Sequence, residues 1–221
     1  MATTVEATAK AKAAEASPTA SWFQDPKRQA VAAAGVAAVI ALGVWFVVTS
    51  GQRKEQFAAR VYSQALATAD QGNLPQASSD LQRVIQLYSG TEAANQAVLA
   101  LNQIRMASGQ SELAAVNLSE FVAKKPAPQF GAPAYGLLGE AQENAKKFPE
   151  AAAAYEQAAA NAGLAFVKAS YLVSAGRAYR LAGKTQDAIR TYQTVVEKYP
   201  DAPAVNEAKV RLGELTASQG S

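Results

Sequence analysis

The chain has 221 residues, enough for one or two domains with a sizeable core. Apolar residues make up 49% of it and are rich in alanine, whereas aromatic residues make up only 8% of the chain. Its net charge of +3 comes from basic residues scattered along the sequence, which argues against nucleic acid as a partner. Histidine and cysteine are absent, which excludes the commonest general base, the commonest metal ligand, thiol nucleophiles, zinc–thiolate sites and disulfides.

Residues 1–28 form a tail rich in alanine, threonine, lysine and glutamate, with too little apolar bulk to fold alone, so we predict that the tail is disordered. Residues 29–51 are predicted to form a transmembrane helix. Between Arg28 and Arg53 there is no charged residue, and residues 30–49 read AVAAAGVAAVIALGVWFVVT. Twenty residues of helix span roughly 30 Å, which is the thickness of the hydrocarbon core of a bilayer.

Large apolar residues in this segment each favour membrane insertion by about 0.3–0.6 kcal/mol, which gives a total of about 3–5 kcal/mol with no opposing charge. They are Val31, Val36, Val39, Ile40, Leu42, Val44, Phe46, Val47 and Val48. Two alternatives stay open, a buried helix of a soluble protein and a cleaved signal peptide. The apolar segment is longer than the roughly 15 residues that a signal peptide uses.

The charges beside the predicted span slightly favour a cytoplasmic N-terminus. The basic residues before the span are Lys10, Lys12, Lys27 and Arg28, and those after it are Arg53, Lys54 and Arg60. The side richer in lysine and arginine tends to stay in the cytoplasm, so this bias predicts that the N-terminus lies inside. The opposite orientation stays open because a long C-terminal domain can cross the membrane regardless of its charge.

Beyond Gly51 the sequence repeats with a period of 37 residues. Each repeat has a small residue in its predicted second helix: Ala77, Ala114, Ala151 and Ala188. Four residues later there is a large apolar residue: Leu81, Leu118, Tyr155 and Tyr192. Five residues before the alanine there is a predicted turn: Gly72, Gly109, Lys146 and Gly183. Twelve residues after the alanine there is a predicted helix end: Ser89, Pro126, Gly163 and Pro200. Glycine tolerates positive φ at a helix end and proline cannot continue a helix, which explains these residue types.

The first helix of each repeat keeps the same register. The third repeat has Tyr135, Leu138, Gly139 and Gln142, the fourth has Leu172, Ala175, Gly176 and Tyr179, and the last helix has Leu212 and Gly213. This pattern resembles the tetratricopeptide repeat, W-x-x-L-G-x-x-Y followed by A-x-x-x-F and P, with a period about three residues longer than the usual ~34. The predicted fold class is therefore all-α, an N-terminal transmembrane helix followed by an α-solenoid of about four and a half helix hairpins.

The repeat domain is predicted to occupy residues 52–221. Its units are approximately 55–90, 91–127, 128–164 and 165–201, followed by a capping helix at 203–218. Small residues at the glycine and alanine positions allow the two helices of a unit to cross closely, and the large residue one turn later is expected to fill the space between adjacent units. The capping helix places Val205, Ala208, Leu212 and Leu215 on one face, which predicts packing against the last unit.

Tetratricopeptide domains usually bind extended or helical peptides along a concave face lined by the first helices. By this resemblance we predict a set of partner-binding side chains: Tyr62, Leu66, Gln96, Leu99, Gln103, Met106, Glu140, Glu143, Arg177 and Arg180. In the alternative interpretation, the glutamates and arginines only pair between neighbouring repeats and the apolar side chains only pack between helices. A clamp of lysine and asparagine that captures chaperone C-termini is not expected, because Tyr62 and Leu66 occupy the corresponding positions.

The order of tail, single span and repeat array resembles one bacterial family, the ancillary SecYEG translocon subunits (YfgM-like). The stretches that carry this resemblance are Ala59–Val61–Tyr62 with Gly72, then Gly90–Thr91–Ala94–Ala97–Leu99–Ala100, then Gly109 with Ala114–Leu118. The resemblance covers residues 20–220 in layout and is closest over about 57–122. It implies a cytoplasmic tail, an extracytoplasmic repeat domain and a place in chaperone networks that receive secreted proteins at the translocon.

The leading hypothesis is a single-pass protein of the bacterial inner membrane whose periplasmic repeat domain binds translocon subunits, emerging secreted proteins or periplasmic chaperones. The alternative is an envelope scaffold for cell division or for outer-membrane or cell-wall assembly. We do not expect an enzyme, because histidine, cysteine and a glycine-rich phosphate loop are absent and the repeat pattern accounts for the carboxylates. The sequence thus predicts no catalytic residue, cofactor, metal site, small-molecule substrate or nucleic-acid partner.

Overall fold

Helices make up all the regular structure in residues 26–217, the part of the chain that the computed structural model describes. In chain order they are α1 Pro26–Asp70, α2 Leu74–Leu87, α3 Glu92–Ala107, α4 Ser111–Ala123, α5 Pro128–Asn144, α6 Phe148–Asn161, α7 Ala165–Leu181, α8 Thr185–Lys198 and α9 Val205–Ala217. Residues 1–25, which make up most of the predicted disordered tail, and residues 218–221 lie outside the described part. The prediction of an all-α fold is confirmed.

The chain divides into two compact units, residues 1–53 and residues 54–221. In the first unit, the large apolar side chains of α1 between Val31 and Val48 are exposed, with exposed fractions from 53% to 72%. A soluble helix normally buries such a face, whereas a helix surrounded by lipid exposes it on all sides. Among the described residues, the helix that contains this segment is the one long and apolar enough to cross a membrane.

In the second unit the helices form antiparallel hairpins around the predicted small residues. The alanines of the second helices are all fully buried: Ala77, Ala114, Ala151 and Ala188. The large residues one turn later are buried as well: Leu81, Leu118, Tyr155 and Tyr192. The 37-residue spacing thus marks one buried position for each hairpin, as predicted.

The Tyr192 side chain packs within its own hairpin as well as against the next helix. The Tyr192 ring lies over Gly176 of its own hairpin, where a Cβ atom would come within 2.6 Å of the ring. The same ring belongs to an apolar cluster with Val205 and Ala208 of α9, and Leu212 and Leu215 pack against that cluster. The ring therefore explains the glycine within the unit and also joins the unit to the capping helix.

The turns within the hairpins share one backbone geometry. The predicted turn residues all have positive φ: Gly72, Gly109, Lys146 and Gly183. In each turn the amide of this residue donates to the carbonyl three residues earlier, and the next amide donates to the carbonyl five residues earlier. This pair of bonds is the Schellman motif, which satisfies the last carbonyl groups of the first helix.

Lys146 is the one residue in this set of four turns that is not glycine, and its φ is +59°. A side chain in the left-handed region costs about 1–2 kcal/mol. We therefore expect Lys146→Gly to raise the free energy of unfolding by about 1 kcal/mol, measured by urea denaturation of the full chain in detergent micelles. The matched control is Lys147→Gly, because Lys147 has a φ of −89° and no such strain. An equal gain in both variants would contradict this explanation.

Two side chains of α1, Lys54 and Glu55, bond to the turn between α2 and α3 and to the start of α3. The Lys54 ammonium donates to the Ser89 carbonyl at 2.7 Å. The Glu55 carboxylate accepts hydrogen bonds from the backbone amides of Glu92 at 2.8 Å and Ala93 at 3.0 Å. A carboxylate stabilises the free amides at a helix N-terminus, so Glu55 holds the start of α3 from a distance of 37 residues in the sequence.

Candidate partner-binding groove

In residues 54–221, mainly the first helices of the repeats line an open groove with a volume of about 730 Å³. Its lining residues lie between positions 62 and 177 and belong to α1, α3, α5, α6 and α7. The first helices α3 and α5 share one wall because they contact each other directly. The wall continues to α7, since the Tyr171 ring lies against Gly136 of α5. The groove is large enough to accept side chains of a partner polypeptide.

The structure brings seven of the predicted partner-binding residues to this groove: Tyr62, Gln96, Leu99, Gln103, Glu140, Glu143 and Arg177. Leu66 instead packs against the core cluster that contains Ala65 and Leu81. Met106 packs against the cluster around Leu118 and lines a smaller adjoining cavity of about 320 Å³. Arg180 is exposed and is not part of either cavity. The binding role of all ten residues stays a prediction.

The groove is also lined by residues that were not predicted to bind a partner: Ala100, Pro133, Gly136, Leu137, Asn144, Tyr155, Tyr171 and Ser174. Most lie three or four positions from a predicted residue on the same helix, which is the spacing of neighbours on one helical face. Tyr171 is the largest of these on a first helix. Its ring occupies the space beside Gly136, where a Cβ atom would come within 2.6 Å of it. Burial raises the pKa of the Tyr171 hydroxyl and likewise that of Tyr62 on α1.

A charged network crosses the groove between the third and fourth repeats. Arg177 of α7 donates from Nε to Glu143 Oε1 and from Nη2 to Glu143 Oε2, both at 3.0 Å. The Tyr155 hydroxyl of α6 donates to Glu143 Oε2, also at 3.0 Å. Bidentate pairs of this kind are among the stronger hydrogen bonds in proteins. Glu143 therefore joins three helices.

Electrostatics in this network follow from its geometry. The hydrogen bond to Glu143 raises the pKa of the Arg177 guanidinium. Burial, followed by the charge of Glu143, raises the pKa of the Tyr155 hydroxyl well above its usual range. Among the predicted charged pairs, Glu143 and Arg177 thus bond to each other across neighbouring repeats. Glu140 is exposed, and no basic side chain in residues 26–217 forms an ion pair with it.

Tyr155→Phe is expected to lower the free energy of unfolding by about 1–2 kcal/mol, because it removes a hydrogen bond to a carboxylate and keeps the ring. Urea denaturation of the full chain in detergent micelles measures the change. Tyr192→Phe is the matched control, since no described residue accepts a hydrogen bond from the Tyr192 hydroxyl. Equal losses in the two variants would show that the ring environment, and not the bond to Glu143, determines the effect.

Comparisons with solved structures agree with this architecture. A tetratricopeptide repeat protein from Parabacteroides merdae ATCC 43184 has a TM-score of 0.59 and 11% identity, and the match covers 74% of this chain and 61% of that protein. The tetratricopeptide-like repeats of a putative kinesin light chain from Podosopora anserina have a TM-score of 0.59 and 18% identity, and the match covers 73% and 86% of the two. MamA has a TM-score of 0.57 and 20% identity, and the match covers 71% and 84%. The identities are low, so these similarities show the fold alone.

Curated protein sequences contain no significant match to this protein. Its sequence spans about three fifths of the Parabacteroides protein. Residues 20–217 match the family model described as a tetratricopeptide repeat-like domain. Repeats of this kind are typically non-catalytic scaffolds that bind other proteins, through surfaces created by stacking. The chain therefore belongs to the tetratricopeptide repeat-like domain family.

Proposed function

We propose that this protein is a membrane-anchored interaction module, an accessory subunit of the secretion translocon. In this proposal, residues 29–51 span the bacterial inner membrane once, with the N-terminus in the cytoplasm. Residues 52–221 then form a periplasmic repeat domain that binds emerging secreted proteins or periplasmic chaperones. The resemblance to the ancillary translocon subunits supports the choice of compartment and partner.

The observation that carries the anchoring is the run of exposed apolar side chains from Val31 to Val48. Burying apolar surface is worth about 25 cal/mol per Å², so leaving this whole segment in water would be strongly unfavourable. A bilayer removes that cost and leaves no backbone group unpaired, because an α-helix bonds its amides internally. The open groove supports the binding role, since it presents amide, aromatic and carboxylate groups to a partner.

Topology is tested with a single cysteine, because the natural chain has none. Gln110 is exposed in the turn between α3 and α4, which makes Gln110→Cys accessible to a reagent. We expect an impermeant maleimide to label this variant once the outer membrane is permeabilised. Ala9→Cys in the tail is the control and should be labelled only after the inner membrane is broken. Protection of the Gln110→Cys variant would place the repeat domain in the cytoplasm.

Partner identity is tested by affinity purification of the full chain in mild detergent. We expect translocon subunits or a periplasmic foldase to copurify, and Glu140→Lys in the groove to reduce their recovery. Glu112→Lys has the same change of charge on α4, outside the groove, and should not reduce it. Recovery of neither partner would contradict the translocon role. Recovery of cell-wall enzymes together with septal localisation of a fluorescent fusion would instead support an envelope scaffold.

A further inference from the structure

The Tyr192 hydroxyl is a buried donor to which residues 26–217 offer no acceptor. The Tyr192 side chain is fully buried, and no described residue accepts a hydrogen bond from its oxygen. Buried hydroxyl groups are normally hydrogen-bonded, because removing them from water without a partner is unfavourable. The Tyr192 hydroxyl therefore lacks a hydrogen-bond acceptor among the described residues.

The preceding repeat shows what an acceptor at this place looks like. Tyr155 lies over Gly139 as Tyr192 lies over Gly176, and the Tyr155 hydroxyl donates to Glu143 at 3.0 Å. Glu143 follows its glycine by one helical turn. The residue one turn after Gly176, and 37 residues after Glu143, is Arg180. The fourth repeat therefore has a cation at the position that supplies the acceptor in the third repeat.

The charges around this hydroxyl are three arginines and one carboxylate, that of Glu207, so cations are in excess. Arg211 of α9 contacts Glu214 at 3.1 Å and Glu207 at 4.0 Å, and Arg177 is bonded to Glu143. No acidic side chain in the described part of the sequence forms an ion pair with Arg180, which is exposed. Burial raises the pKa of Tyr192, while the charges of Arg180, Arg211 and Arg177 lower it and that of Glu207 raises it. Most of the charge acting on the hydroxyl therefore favours a negative group beside it.

We infer that the Tyr192 hydroxyl and the Arg180 guanidinium form a binding site for a carboxylate carried by a partner polypeptide. The bound carboxylate would take the part that Glu143 takes for Tyr155, accepting from the hydroxyl and pairing with an arginine. Its source is an aspartate or glutamate side chain or the carboxyl terminus of the partner. Entry requires neighbouring side chains to change rotamer, which the exposed Arg180 is able to do. This inference rests on the proposed function of binding a protein partner.

The test uses the full-length protein in nanodiscs and fluorescent peptides of the sequence Gly-Ser-Glu-Ser-Gly with both ends capped. The matched peptide has glutamine in place of glutamate, and a second pair ends in a free carboxylate or a carboxamide. We expect a carboxylate peptide of at least one pair to bind about tenfold more tightly than its amide partner. We also expect Tyr192→Phe to abolish that preference without lowering the melting temperature. Equal binding of carboxylate and amide peptides, or a preference that survives in Tyr192→Phe, would overturn the inference.

Arg180→Glu is a second test variant, in which a loss of binding would not be explained by unfolding. It returns an acceptor to the position of Glu143, so we expect a higher melting temperature and no binding of carboxylate peptides. Arg83→Glu makes the same charge change on the exposed part of α2 and should do neither. A lower melting temperature for Arg180→Glu, or binding of inorganic phosphate without any carboxylate peptide, would overturn the site. The wider binding function would then still be judged by the affinity purification.

Discussion

Gly176→Ala is expected to lower the free energy of unfolding by about 2–3 kcal/mol. A Cβ atom at this position would lie 2.6 Å from Cε1 and 2.7 Å from Cζ of Tyr192, distances that real Cβ contacts do not show. The Tyr192 ring, which projects from α8, cannot move aside because it is fully buried against α7 and α9. Urea denaturation of the full-length protein in detergent micelles, followed by circular dichroism, measures the change.

Gly213→Ala is the matched control for this prediction. Gly213 lies inside α9, and nothing lies within 4 Å of the position that its Cβ atom would take. Alanine favours a helix interior over glycine by about 1 kcal/mol, so this variant should be more stable than the natural protein. If both substitutions stabilised the fold, the close contact between Gly176 and Tyr192 would not exist in solution.

Features set by local spacing could be predicted from the sequence. The four buried alanines and the four turns with positive φ all follow from a 37-residue period that is visible without a structure. Lys146 is the clearest case, because its place in the period predicted a turn although the residue is not glycine. Such positions are predictable since their geometry depends on a few neighbouring residues, and each repeat confirms the others.

Contacts between repeats could not be predicted in the same way. The bond from Glu55 to the start of α3 depends on how the first two hairpins stack, and no spacing rule indicates it. The ring of Tyr171 beside Gly136 depends on a rotamer and on the distance between α5 and α7. Their positions in the repeat predicted that Glu143 and Arg177 lie on first helices. Their bidentate bond, and the role of Tyr155 in it, required the positions of three helices.

Glu143→Ala is expected to lower the free energy of unfolding by about 2–3 kcal/mol, because it removes the common partner of Arg177 and Tyr155. Removing one partner of a fully buried ion pair costs about 3–5 kcal/mol. We expect a smaller loss here because the Arg177 side chain is 40% exposed. Glu140→Ala is the control, since Glu140 lies one turn earlier on α5 and is exposed, and its effect should stay within about 0.5 kcal/mol.

These two variants also separate the structural from the binding interpretation of the groove charges when they are compared in the affinity purification. If Glu143 serves the fold, Glu143→Ala should lower stability in urea while partner recovery at low temperature stays close to that of the natural protein. If Glu140 serves the partner, Glu140→Ala should reduce recovery without changing stability. A loss of recovery in Glu143→Ala with unchanged stability would contradict the structural role, because Arg177 and Tyr155 would then not need their carboxylate to hold the third and fourth repeats together.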